Sequence, residues 1–141
     1  MVKQQVTAAR FLLIAAICCG IAVIMGAFAA HGLKNILSDQ ALATIRTAVL
    51  YQFVHGLALL GCALALAHQL WFAVERSIRI AGYCFISGTI LFSGSLYGLS
   101  VFNLTFLGPV TPLGGVAFIF GWVALIISST QLLRQLRHSN D

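Results

Sequence analysis

The chain has 141 residues, of which 60% are hydrophobic and 8% are charged, and its formal net charge is +5. Charged residues make up about a quarter of a typical soluble domain, so this composition excludes an ordinary soluble domain. It also excludes intrinsic disorder and collagen-like repeats, because the apolar content is high and only 2 prolines are present. The composition indicates an integral membrane protein.

Four stretches of the chain are apolar enough to cross a bilayer, and each reaches the length of about 20 residues that a crossing needs. They cover residues 11–30, 48–72, 80–102 and 112–133. These spans use most of the chain, so residues 1–141 are expected to form a single all-α domain, a compact bundle of four transmembrane helices. No room is left for a soluble catalytic domain.

The first span also resembles a secretory signal, because Lys3 and Arg10 precede an apolar run that ends in Ala27-Phe28-Ala29. Residues 11–30 exceed the roughly 7–15 apolar residues of a typical signal core. We therefore expect this stretch to be retained as a membrane span.

Lysine and arginine are distributed unevenly between the two sides of the membrane. One side carries both termini and the loop between spans two and three, with 6 of the 8 basic residues. These are Lys3, Arg10, Arg76, Arg79, Arg134 and Arg137. The other side carries Lys34 and Arg46. Because positive charge favours cytoplasmic loops, both termini are predicted to be cytoplasmic.

The net positive charge is then explained by topology and by contact with the anionic headgroups of the lipid bilayer. A nucleic-acid partner is not favoured, because the basic residues are scattered in ones and twos along the chain and form no stripe.

The connection after the first span, residues 31–47, contains a short amphipathic pattern. Leu33, Ile36 and Leu37 follow helical spacing, which predicts a short amphipathic segment at the interface. Ser38 is the expected N-cap of the second helix, with Asp39 in the first turn. We interpret the segment as a plain connector, and the alternative is a small lid over the outer end of the bundle.

Small residues recur at every fourth position in the spans, as in Ala22-Gly26-Ala30, Gly61-Ala65, Gly94-Gly98 and Ala117-Gly121. In lipid, close approach of helix backbones depends on such residues. They predict a tight bundle, and the same faces offer surfaces for a homo-oligomer or a larger membrane complex.

Motifs for catalysis or for a bound cofactor are absent from the sequence. It has no G-x-S-x-G, no H-E-x-x-H, no paired carboxylate and no phosphate-binding glycine loop. The cysteines at 18, 19, 62 and 84 form no C-x-x-C pair and are expected to be apolar packing residues. We therefore predict no catalytic residues, no cofactor and no enzymatic activity.

Polar side chains in lipid cost free energy unless they meet a partner, and here they fall at one level in the outer half of the spans. This outer polar cluster comprises His31, Tyr51, Gln52, His55, Ser93, Ser95, Tyr97 and Thr111. It is either a structural network that fixes the helix register, or a site for a lipid headgroup, quinone, metal or haem. In the second case, His31 and His55 are the candidate metal or haem ligands.

The fourth span places Trp122 near its middle, too deep for the aromatic belt at the interface. Its indole N–H is therefore expected to find a hydrogen-bond partner inside the protein. The spans contain no carboxylate, which disfavours a proton-coupled transporter.

Four segments of the chain resemble the signatures of a known family. They read GAFAAHGL at residues 26–33, TAVLYQFVHGLAL at 47–59, LFSGSLY at 91–97 and TPLGG at 111–115, followed by Gly121-Trp122. The YgdD-like family of small bacterial inner-membrane proteins, which has a mitochondrial relative in animals, has similar signatures in the same order. Its members more often have Ala where this chain has Gly56. The resemblance implies a four-span inner-membrane protein with no assigned activity, and its signatures contain the outer polar cluster.

Overall fold

The computed structural model describes residues 2–138. Within that range the α-helices are α1 (Val2–Ala27), α2 (Asp39–Ala67), α3 (Glu75–Gly88), α4 (Ser95–Phe102) and α5 (Val110–His138). A π-helical turn, Phe28–Gly32, extends α1, and a π-helical segment, Thr89–Gly94, joins α3 to α4. Short 3₁₀ helices, Gln69–Val74 and Thr105–Leu107, lie in the connections.

Four continuous helical stretches in the described range are long and apolar enough to cross a membrane. They are Val2–Gly32, Asp39–Ala67, Glu75–Phe102 and Thr105–His138. The third of these consists of α3, the π-helical segment and α4, and is called the third span below. The predicted all-α bundle of four membrane-spanning helices is confirmed.

Local chemistry sets the helix ends on the side of the bundle opposite to the termini. The Ser38 hydroxyl accepts a hydrogen bond from the Ala41 backbone N–H at 3.3 Å, and Asp39 follows in the first turn, as predicted. The third span ends at Phe102, because Asn103 adopts a left-handed conformation with φ 53° that closes the helix. Both devices satisfy backbone groups that a helix end otherwise leaves unpaired.

The helices differ in length from the apolar stretches counted in the sequence. α1 begins at Val2 and α5 continues to His138, well beyond residues 11–30 and 112–133. A helix continues where its polar end leaves the hydrocarbon, so apolar length sets only a minimum. In contrast, α2 ends at Ala67 and not at residue 72, because the backbone of His68 is extended.

The spans pack in chain order: α1 lies along α2, α2 along the third span, and the third span against α5. Buried phenylalanines from three spans meet in the core, namely Phe11 of α1, Phe85 of α3 and Phe118 of α5. Leu59 of α2 is also fully buried in this cluster. The third span is thus central, with α2 and α5 on its two sides.

Glycines permit these rings to lie against a neighbouring backbone. A Cβ atom at Gly121 would lie 2.5 Å from Cε1 of Phe85, so only glycine fits there. The prediction that small residues allow close helix packing is therefore confirmed at Gly121, but it does not hold at every predicted position. Gly61 and Gly94 are exposed, and a Cβ at either would meet no atom within 4 Å. These two glycines therefore take no part in packing within the chain.

Candidate functional site

Gln52 of α2 links three spans at the centre of the outer polar cluster. Its Nε2 donates to the backbone carbonyl of Cys18 on α1 at 2.8 Å. Its Oε1 accepts a hydrogen bond from the Tyr97 hydroxyl on α4, also at 2.8 Å. The Gln52 side chain is only 4% exposed, and each end of its amide makes a hydrogen bond to another span.

His55 lies one turn further along α2 and uses both of its ring nitrogens. Nδ1 is 2.7 Å from the carbonyl oxygen of Tyr51, and the Trp122 indole N–H donates to Nε2 at 3.3 Å. A carbonyl oxygen can only accept, so Nδ1 carries the proton and Nε2 is the acceptor. His55 is therefore neutral in this arrangement. The prediction that Trp122 finds a partner inside the protein is confirmed.

Aromatic rings surround the imidazole on the side of α5. Phe118 stacks on His55 with ring centroids 3.4 Å apart and an interplanar angle of 9°. Tyr51 packs against Phe92 of the third span at 4.5 Å, and its ring also lies over His55 at 5.8 Å. The His55 side chain is 5% exposed as a result.

Two serines join the third span to its neighbours on opposite sides. Ser93 donates to the carbonyl of Ala48 on α2 at 2.9 Å. Ser95 lies 2.7 Å from the hydroxyl of Thr111 on α5 and donates to the carbonyl of Phe92 at 2.9 Å. Because residues two apart in a helix do not share a face, this pair reaches both flanking helices. The π-helical segment containing Ser93 ends directly before Ser95.

His31 is not brought into contact with the rest of the cluster. It is exposed in the π-helical turn after α1, and across residues 2–138 the structure gives its side chain no hydrogen bond or ring contact. His55 already engages both ring nitrogens, so it has no free lone pair for a metal. Over the same residues, no group of three or more His, Cys, Asp or Glu side chains is arranged to hold a metal ion.

Several members of this arrangement were not identified in the sequence. The carbonyls of Cys18 and Ala48 accept the buried hydrogen bonds, and backbone acceptors carry no sequence signal. Phe118 precedes Trp122 by one helical turn, a spacing that places both on one face of α5. That spacing alone does not show that the shared face meets His55.

A groove of about 540 Å³ lies between α2 and α5 beside this network. We call it the α2–α5 groove. It is lined by Leu50, Tyr51, Val54, His55, Phe92, Gly115, Phe118, Ile119 and Trp122. Its rim residues Leu50 and Ile119 are 59% and 64% exposed, so the groove opens on the lipid-facing surface of the bundle.

Four apolar helices, joined by hydrogen bonds between spans, define a polytopic α-helical membrane protein in contact with the lipid bilayer. Residues 25–115 match the sequence model of a family described as "Protein of unknown function (DUF423)". The chain belongs to this family.

Named relatives agree with this assignment. The chain is 42% identical over 123 residues to the UPF0382 membrane protein YwdK of Bacillus subtilis, a match that covers 87% of this chain and 98% of the relative. It is 40% identical over 129 residues to the UPF0382 inner membrane protein YgdD of Escherichia coli K12, covering 89% and 94%. The resemblance to the YgdD-like family is confirmed. None of the solved structures matches this chain.

Proposed function

We propose that the protein is a non-catalytic structural or accessory component of the bacterial inner membrane, with both termini in the cytoplasm. The observation that carries this proposal is that both ends of the Gln52 amide and both ring nitrogens of His55 are bonded to groups on other spans and on α2 itself. A catalytic or ligand-binding side chain needs a free donor or acceptor. In these two side chains, the most central of the outer polar cluster, the amide nitrogen, the amide oxygen and both ring nitrogens already make a hydrogen bond within the protein.

The network favours a structural role on energetic grounds. A hydrogen bond between transmembrane helices contributes about 0.6 kcal/mol on average, and up to about 1.7 kcal/mol. The bonds from Gln52, His55, Ser93 and Ser95 together engage all four spans. Together they fix the positions of the four spans relative to one another, as expected of a rigid subunit in a larger assembly.

Assembly with other membrane proteins would use small residues that this chain leaves open. Gly20, Gly61 and Gly94 are exposed, and a Cβ at any of them would meet no atom within 4 Å. Such positions let a second helix approach closely in lipid. We infer that a second copy or a larger complex packs on at least one of these faces.

The cytoplasmic placement of the termini is supported by the distribution of positive charge. The ends of the bundle that carry the termini and the 69–74 connection hold 6 of the 8 lysines and arginines. Positive residues in short loops favour the cytoplasmic side. The relative from E. coli is named an inner membrane protein, which supports the same compartment for this chain.

Native mass spectrometry after extraction from native membranes in mild detergent tests the assembly role. We expect a homo-oligomer or a complex with a partner protein, and its loss in at least one of the variants Gly20→Leu, Gly61→Leu and Gly94→Leu. Gly115→Leu is the matched control, because Gly115 lines the α2–α5 groove and not these faces. A monomer with no partner, or a complex that survives all three variants, would contradict the proposal.

A further inference from the structure

Arg76, Arg79 and Tyr83 form a stripe along α3, at the end of the bundle that carries the termini. Their spacing of three and four residues places them on one face of the helix, and all three are exposed. The apolar part of the third span begins at residue 80. The two arginines therefore lie just outside the hydrocarbon, in the headgroup region, and Tyr83 lies in the first apolar turn.

A recess of about 460 Å³ lies at the arginine end of this stripe, lined by Ala73, Glu75, Arg76 and Arg79. Nη1 of Arg79 donates to Oε1 of Glu75 at 2.8 Å, which holds the guanidinium in place. A guanidinium has five N–H donors, so most of those of Arg79 stay open. Within residues 2–138, Arg76 makes no hydrogen bond or ion pair. The recess therefore offers two positive charges against one negative charge, with unused donors.

Tyr83 is held in position by α1. Its ring meets the ring of Phe11 edge-on, with centroids 5.2 Å apart. Phe11 is itself fixed, because it is buried against Gly82, where a Cβ atom would collide with its ring. Over the described part of the chain the Tyr83 hydroxyl has no hydrogen-bond partner. A tyrosine at this depth is positioned to donate that O–H to a polar group of the lipid interface.

The neighbouring helix α1 adds positive charge at the same end. Lys3 and Arg10 are seven residues apart, so they share one face of α1, and both are exposed. α1 and α3 start at the same end of the bundle, and Phe11 meets Tyr83. At 1.5 Å per residue, this contact places Arg10 within about 5 Å of the level of Arg79. The recess therefore lies in a field of positive charge from two helices.

The order of groups along the stripe matches the order of groups in a phospholipid. Arg79 and Tyr83 are four residues apart, or about 6 Å along the helix axis. The polar headgroup region is about 5–7 Å thick on each side of the hydrocarbon. Guanidinium groups bind phosphate oxygens through paired N–H bonds. A phosphodiester at the arginines thus leaves the ester carbonyls of the same lipid near the tyrosine hydroxyl.

Charge selects among phospholipids. A zwitterionic headgroup carries an ammonium group that the arginines repel, whereas an anionic headgroup has no such group. We propose that the stripe binds one anionic phospholipid. Arg76 and Arg79 hold the phosphodiester, and the Tyr83 hydroxyl donates to an ester carbonyl. This site is distinct from the general attraction of basic loops to an anionic membrane surface, which depends only on the number of charges.

A matched pair of double variants separates a built site from general attraction. Arg76→Gln with Arg79→Gln removes both guanidinium groups of the recess, and glutamine at 79 can still donate to Glu75. Arg134→Gln with Arg137→Gln removes the same charge from exposed positions of α5 at the same end of the bundle, outside the recess. The two double variants have equal net charge.

Native mass spectrometry of the full chain in mild detergent, titrated with phosphatidylglycerol or phosphatidylcholine, measures the binding. We expect one retained phosphatidylglycerol, with an apparent affinity for phosphatidylcholine at least about tenfold weaker. The variant at 76 and 79 should weaken phosphatidylglycerol binding by at least about tenfold, and the variant at 134 and 137 by no more than about twofold. Tyr83→Phe should weaken the binding of both lipids by about threefold to tenfold, because both carry ester carbonyls.

Equal affinity for the two lipids would overturn the proposal, and so would equal losses in the two double variants or an unchanged affinity in Tyr83→Phe. Displacement of the lipid by inorganic phosphate would also overturn it, because the site would then take a free anion. Should the variant at 76 and 79 not be recovered folded, Arg76→Gln alone replaces it, and an unchanged affinity there would contradict the proposal. Lipid binding is measured separately from oligomeric state, so this proposal and the assembly role fail independently.

Discussion

Trp122 and His55 form a hydrogen bond between α5 and α2, from the indole N–H to Nε2 at 3.3 Å. The bond depends on the Tyr51 carbonyl, which holds the imidazole proton on Nδ1 and leaves Nε2 free to accept. The Tyr51 carbonyl thus sets the His55 tautomer that allows the hydrogen bond between α2 and α5. This relationship makes His55 the residue whose replacement best separates a structural network from a binding site.

His55→Gln is expected to lower the free energy of unfolding by about 1–3 kcal/mol, because the Trp122 N–H loses its acceptor and the stack on Phe118 is removed. The measurement is reversible unfolding by SDS in detergent micelles. His31→Gln is the matched control, since His31 is exposed at the end of the first span. Unchanged stability in His55→Gln would argue against the structural network.

Gln52→Leu should lower the free energy of unfolding by about 1–2 kcal/mol, because it leaves the Tyr97 hydroxyl without its acceptor and removes the bond to the Cys18 carbonyl on α1. The same SDS titration measures the effect. Gln131→Leu, at an exposed position of α5, makes the same chemical change outside the network and should have little effect. Equal effects of the two substitutions would show that the Gln52 bonds contribute nothing specific.

Gly121→Ala is expected to destabilise the bundle by about 1–3 kcal/mol, since its Cβ would lie 2.5 Å from the Phe85 ring and force the third span away from α5. Gly61→Ala is the comparison, because its Cβ enters open space. That change should be neutral or stabilising by about 0.5–1 kcal/mol, as alanine favours the helix. Thermal unfolding in mild detergent ranks the two, and the opposite order would refute the packing argument.

Reporter fusions test the orientation of the termini. Green fluorescent protein fused after residue 138 should fluoresce, and alkaline phosphatase fused there should be inactive, because both report a cytoplasmic C-terminus. Alkaline phosphatase inserted between Lys34 and Ser38 should be active, since this connection is predicted to be outside. The reverse pattern of reporter activities would show that the termini lie outside the cytoplasm and would contradict the proposed topology.

The sequence predicted the parts of the fold that depend on local or averaged properties. Four apolar stretches of sufficient length required four crossings, and Ser38 followed by Asp39 marked the start of α2 where the structure has it. The same reasoning grouped Tyr51, Gln52 and His55 by depth alone. Depth follows from counting residues along a helix, so it needs no knowledge of the neighbouring spans.

The sequence by itself determined that this is a membrane protein with four helices long and apolar enough to cross the bilayer, because the bilayer acts on each helix separately. Only the tertiary structure decided which partners those side chains meet. It paired Gln52 with Cys18 and Tyr97, joined His55 to Trp122, kept His31 apart from the cluster and left Gly61 exposed on the surface of the bundle. The rotation of one helix against another depends on contacts between residues far apart in the chain, and hydropathy carries no information about them.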